Sequence, residues 1–171
     1  PIAVMSFLSV ISKGAIAFIF ITILYKVFQP MGEVWYNMLV ILAVITMVIG
    51  NLFAIRQQNI KRFLAFSSIA QVGFILVGMS SGSEVGITAV VYFVLIYVFS
   101  NLAAFGVAAV IADRTGKENI DDYKGLYNTN PFLCWILALA LFSLAGIPPT
   151  AGFFGKLFLL TAGATKASYT F

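Results

Sequence analysis

Histidine is absent from this sequence, cysteine occurs once, and only 9% of the 171 residues are charged. Each scarcity removes a class of chemistry. Without histidine, zinc, haem and nucleophilic-triad sites lose their commonest residue. The single Cys134 excludes an intramolecular disulfide and a cysteine metal cluster. No glycine-rich phosphate loop occurs, so neither a nucleotide nor a nicotinamide has an evident site, and no metal site is expected. A soluble domain carries about 25% charged residues. At 9% charged and 61% hydrophobic, this composition is that of an integral membrane protein lying in a lipid bilayer. Ten basic residues face six acidic ones; at this charge density the excess reports loop topology, and no nucleic-acid partner is expected. The chain begins at Pro1 directly on membrane-like sequence, with no charged leader region, and is expected to be a piece of a longer polypeptide.

What is abundant is long apolar sequence. Periodicity and turn signals divide it into spans at 2–28, 35–55, 63–79, 85–111 and 131–161, a single transmembrane unit over 1–171. The expected fold class is therefore an all-α membrane protein, a polytopic transmembrane helix bundle. The last span would make a continuous helix of roughly 45 Å, well beyond a hydrocarbon core of about 30 Å. Its sequence supplies an interruption: Pro148 and Pro149 donate no backbone hydrogen bond, and Gly146 and Gly152 add backbone freedom. A discontinuous helix near Gly146–Pro149 follows. In lipid, such a break survives only where it is buried in protein or lines a wet cavity.

Two lysines stand at membrane depth. Lys156 follows the break by a few residues, and Lys13 lies mid-span in Ser12-Lys13-Gly14. An ionisable group at that depth marks a functional site by default. None of the six acidic residues lies inside a span, so a counter-ion would have to come from outside this chain. The favoured reading is proton transfer at both lysines; pairing with a carboxylate on a partner helix is the alternative. Ser67, Ser68 and Gln71 fall at i, i+1 and i+4 and are read as one face, with Tyr97, Ser100 and Asn101 as a second stripe. Helix packing and the lining of a water wire both remain open for these six. Loop charges set the orientation. Arg56, Lys61, Arg62, Arg114, Lys117 and Lys124 fall on one side, against Lys26 and Lys166 on the other, which places the first group in the cytoplasm, matrix or stroma.

Two stretches carry a family resemblance. Residues 57–74, QQNIKRFLAFSSIAQVGF, and residues 142–156, FSLAGIPPTAGFFGK, resemble motifs of the antiporter-like subunits of respiratory complex I. Residues 7–15, FLSVISKGA, and 121–126, DDYKGL, are similar to the N-type branch, called subunit 2 in mitochondria. The resemblance covers essentially the whole chain. It implies an inverted-repeat helical fold, of which this chain would supply the eighth to twelfth spans. It implies that Lys13 and Lys156 transfer protons, Lys156 on a half-channel leading outward. Lysine at 156 differs from the glutamate usual in M-type relatives, and Gln71 stands where many relatives have histidine. The implied activity is that of a translocase subunit of NADH:quinone oxidoreductase. NADH, FMN, iron–sulfur clusters and quinone would belong to partner subunits and none to this chain, with the other membrane-arm subunits as neighbours. The bacterial inner membrane is the expected location, a mitochondrial inner or thylakoid membrane the other options. A subunit of a multisubunit cation/proton antiporter and a structural membrane scaffold are the competing functions.

Overall fold

The computed structural model describes residue 4 and residues 8–168, so the start of the expected first span lies outside the described residues. The chain folds as an all-helical membrane bundle. A π-helical turn, Leu8–Ser12, leads into α1 (Lys13–Lys26). A short 3-10 turn, Gln29–Met31, opens onto α2 (Gly32–Ile55), followed by α3 (Ile60–Ser80) and α4 (Glu84–Thr115). After a loop come α5 (Pro131–Ala145) and α6 (Ala151–Ser168). Segments 29–55, 60–80 and 84–115 are each long and apolar enough to cross a membrane.

Helix ends follow local chemistry more closely than hydropathy does. The Asn59 side chain accepts hydrogen bonds from the backbone N–H groups of Lys61 and Arg62, so α3 starts at Ile60 and not at 63. Ser83 accepts from Gly86 N and starts α4, and Gly116, at φ 68°, closes it four residues beyond the expected 111. At 32 residues, α4 is roughly 48 Å long and overhangs the hydrocarbon core. The expected helix through Ser12-Lys13-Gly14 is instead a π turn that gives way to α-helix at Lys13. Nothing in composition or periodicity signals that change.

α4 is the centre of the bundle, packing on α3, α5 and α6. Its Val90, Phe93, Ala104, Phe105 and Ala108 are buried with Leu64, Ile75 and Met79 of α3 and Leu159 of α6. α2 touches mainly α3 through Leu39, Ala43, Gly50 and Ala54, and leaves Ile41, Ile45, Val48, Leu52 and Phe53 exposed. That apolar outer face fits lipid or further helices, not water.

The two basic loops meet at one end of the bundle. Asn59 and Asn119 form an antiparallel bridge, with Ile60 N donating to Glu118 O at 2.9 Å and Ile120 N to Gln58 O at 2.8 Å. Lys61 ion-pairs with Glu118, and Asn59 Nδ2 donates to the same carboxylate at 3.1 Å. The Lys61 ammonium, then the Asn59 amide, hold the Glu118 carboxyl below the usual carboxylate range. Lys124 is exposed and pairs with equally exposed Asp121 at 2.8 Å.

Candidate functional site

The break between α5 and α6 leaves the four C-terminal carbonyls of α5 without helical partners. Two are taken up by the chain reversal itself. Ile147 N donates to Phe142 O at 3.0 Å and Gly146 N to Ser143 O at 3.1 Å. This is a Schellman closure built on Gly146 at φ 80°. The other two are taken up by side chains. Lys156 Nζ donates to Leu144 O at 2.6 Å and to Ala145 O at 3.1 Å. Gln71 Nε2, from α3, donates to Leu144 O at 3.0 Å. Pro148 and Pro149 occupy the turn between the half-helices, joined by a cis peptide bond. α6 then doubles back so closely that a Cβ at Gly152 would lie 1.8 Å from Ser143 O. This reversal brings Lys156 beneath the end of α5.

Lys156 is half-buried, and its Nζ also lies 4.7 Å from the centroid of the Phe74 ring. A cavity of about 460 Å³ opens beside it between α2, α3 and α5, lined among others by Asn51, Ser67, Gln71 and Phe74. The cavity extends toward Ile55 and Phe63, the end that carries the basic loops.

Lys13 forms a second centre. Its Nζ donates to Ser68 Oγ at 2.6 Å, and Ser68 Oγ donates in turn to Ala65 O at 2.6 Å. Ser68 lies beside Tyr97, whose hydroxyl accepts from Asn101 Nδ2 at 3.0 Å. Ser68, Tyr97 and Asn101 are all buried. The expectation that Ser67, Ser68 and Gln71 share one face needs correction. Neighbours on a helix point about 100° apart, so Ser68 serves Lys13 while Ser67 and Gln71 line the Lys156 cavity. The second stripe divides likewise. Tyr97 and Asn101 bond each other, whereas Ser100 Oγ donates to Ser143 Oγ of α5 at 2.7 Å.

Between the two centres is a small cavity of about 10 Å³, bordered by Gln71, Tyr97, Ser100 and Ser143. That is about the smallest space that admits a single water, and four polar side chains border it. Among the described residues no carboxylate pairs with either lysine; the ion pairs present are Lys61–Glu118 and Lys124–Asp121. Both ammonium groups are held by neutral oxygens.

The family profile described as "NADH:quinone oxidoreductase/Mrp antiporter, TM" matches residues 1–171. The chain belongs to this family. Among curated members, it is 52% identical over 170 residues to NADH-quinone oxidoreductase subunit N of Azobacteroides pseudotrichonymphae, covering 99% of this chain and 35% of the relative. It is 51% identical to subunit N of Phocaeicola vulgatus over the same share of this chain and 36% of the relative. It is 45% identical to NAD(P)H-quinone oxidoreductase subunit 2 of a Synechococcus species, covering 99% of this chain and 32% of the relative. A chain of respiratory complex I from Thermus thermophilus with bound aureothin superposes with TM-score 0.62 at 30% identity, over 76% of this chain and 29% of that one. The chain therefore spans about a third of the length of the curated family members it matches.

Within this family fold, sequence reasoning missed Ser143, Phe74 and Asn51 as parts of the site. Phe74 follows Gln71 by three residues, a spacing that puts both on one side of α3. Ser143 lies within the break motif, but its partner Ser100 is 43 residues away and no local signal joins them. Asn51 is the polar residue that α2 contributes to the cavity lining, beside Ala54 and Ile55.

Proposed function

We propose that this chain is part of a proton-translocating membrane subunit of NADH:quinone oxidoreductase, in which protons pass through Lys13, Lys156 and intervening water. The observation that carries this reading is the placement of two lysines at membrane depth on neutral acceptors, with a polar seam between them. From Lys13 the seam runs through Ser68 and Tyr97 to the small cavity, and from there past Gln71 and Ser143 to Lys156. Two ammonium groups in a weakly screening interior repel each other, so a proton arriving at one favours release from the other. The larger cavity beside Lys156 supplies access from the basic-loop side. Redox chemistry, with NADH, FMN, iron–sulfur clusters and quinone, takes place in the other complex I subunits that surround this one, in a bacterial inner membrane. The names of the similar proteins favour this over a cation/proton antiporter without a redox partner. The scaffold alternative, in which both lysines only pair with partner helices, predicts impaired assembly but unchanged pumping per assembled complex when a lysine is replaced.

Because Lys156 also caps α5, a test must keep its hydrogen bonds while removing its proton exchange. Lys156→Arg does this, since arginine donates to carbonyls but does not deprotonate in proteins. In the full-length subunit within its assembled complex, Lys156→Arg and Lys13→Arg are expected to assemble normally and to lose vesicle acidification coupled to quinone reduction. Wild-type pumping per assembled complex in both variants would leave these lysines as caps and packing residues.

A further inference from the structure

The overhanging end of α4 and the start of α5 enclose a cleft of about 290 Å³ that the proton path does not use. Its upper rim carries Arg114, Lys117 and Lys124 against a single carboxylate, Asp122. Asp122 is engaged in accepting from Asn119 N at 3.2 Å, and Lys124 is shared with Asp121. Among the described residues, Arg114 and Lys117 make no ion pair. The lower wall is apolar, with half-exposed Val110 one helical turn below Arg114 and Leu133 opposite on α5. Tyr127 and Trp135, each 59% exposed, follow the lining residues Leu126 and Leu133 by one and two positions in the chain. Such aromatics lie at the level of lipid headgroups.

We infer that this cleft binds the phosphate-bearing headgroup of an acidic phospholipid. Two uncompensated cations above an apolar wall, at the depth where a helix leaves the hydrocarbon, match a molecule that is anionic at one end and apolar at the other. Arginine fits a phosphate through its planar fork of donors, and Lys117 adds a point charge. The start of α5 contributes its positive helix end to the same space. A soluble anion would use the rim and leave the apolar wall uncovered, which is why the occupant is assigned as a lipid.

The test uses the assembled complex containing the full-length subunit, reconstituted in phosphatidylcholine vesicles doped with a photoactivatable phosphatidylglycerol. Cross-linked peptides are located by mass spectrometry. Labelling should fall within residues 110–133 and be competed by unlabelled phosphatidylglycerol but not by inorganic phosphate. The double variant Arg114→Gln/Lys117→Gln should lower it by about twenty-five-fold, roughly fivefold for each charge removed. Lys26→Gln, on the opposite side, should leave it unchanged. If the double variant does not assemble, the wild-type complex still decides, because labelling held by charge must fall steeply with added salt. Equal labelling by a phosphatidylcholine probe, salt-independent labelling, or unchanged labelling in the double variant would overturn the assignment. Competition by inorganic phosphate would replace the lipid with a soluble anion.

Discussion

Gln71 and Lys156 donate to the same backbone oxygen, that of Leu144, at 3.0 and 2.6 Å. One carbonyl thus ties α3 to α6 through the end of α5. Replacing Gln71 by leucine removes one of the two donors and leaves the carbonyl satisfied by the other. The expected cost is that of one hydrogen bond, about 1 kcal/mol, or roughly fivefold in proton-transfer rate. Proton uptake by vesicles, normalised to the amount of assembled complex, measures it. A loss as complete as that of Lys156→Arg would show that Gln71 has a larger part than orienting the carbonyl.

Ser68 is the acceptor for Lys13. Ser68→Ala leaves the half-buried Lys13 ammonium without that partner, an expected cost of about 1–3 kcal/mol. Pumping should slow by about fivefold or more on that scale, while Ser68→Thr, which keeps the hydroxyl, should recover most of it. Equal rates in the alanine and threonine variants would remove Ser68 from the path.

Gly152 and Gly106 make a matched pair. A Cβ at Gly152 would strike Ser143 O at 1.8 Å, whereas one at Gly106 would meet nothing within 4 Å. Gly152→Ala should therefore open the reversal between α5 and α6 and reduce incorporation of the subunit into the complex. Gly106→Ala should be neutral or stabilise α4 by up to about 1 kcal/mol, the helix-propensity difference. Native gels and thermal melts of the complex distinguish them.

Glu118 predicts a pH dependence. Its carboxyl is held below the usual range in the folded chain by Lys61 and Asn59. The stability this contributes is present above the ordinary glutamate value of about 4.3 and is lost as pH falls through the folded value. Glu118→Gln should lower Tm at neutral pH, and its difference from wild type should shrink as the solution is acidified below that ordinary value. Asp121→Asn, which breaks a fully solvated pair, should change Tm little at any pH. A Glu118→Gln difference that grows with acidification would reverse the sign and refute the assignment.

The all-helical class and the broken last span were legible because each rests on a property of the chain itself: hydropathy and proline geometry. The helix ends were less legible, since Asn59, Ser83 and Gly116 set them through side-chain capping and a left-handed residue within loops that hydropathy scores as featureless. The partners within the site were not legible. Ser68 and Gln71 are three residues apart yet serve different lysines, and only the tertiary packing of α3 between its neighbours decides which. The Ser100–Ser143 contact and the π turn before Lys13 have no local sequence signature at all.

The cap on α5 has an electrical consequence. The oxygens of Leu144 and Ala145, which face the Lys156 ammonium, belong to the peptide backbone. Unlike a carboxylate, they cannot be neutralised by acid or alkali in the physiological range. The counter-charge felt by Lys156 is therefore a matter of position alone, fixed by how tightly the elbow at 146–150 is folded. A small rotation of one half-helix against the other would alter that counter-charge directly, which ties the electrostatic potential at Lys156 to the geometry of the elbow.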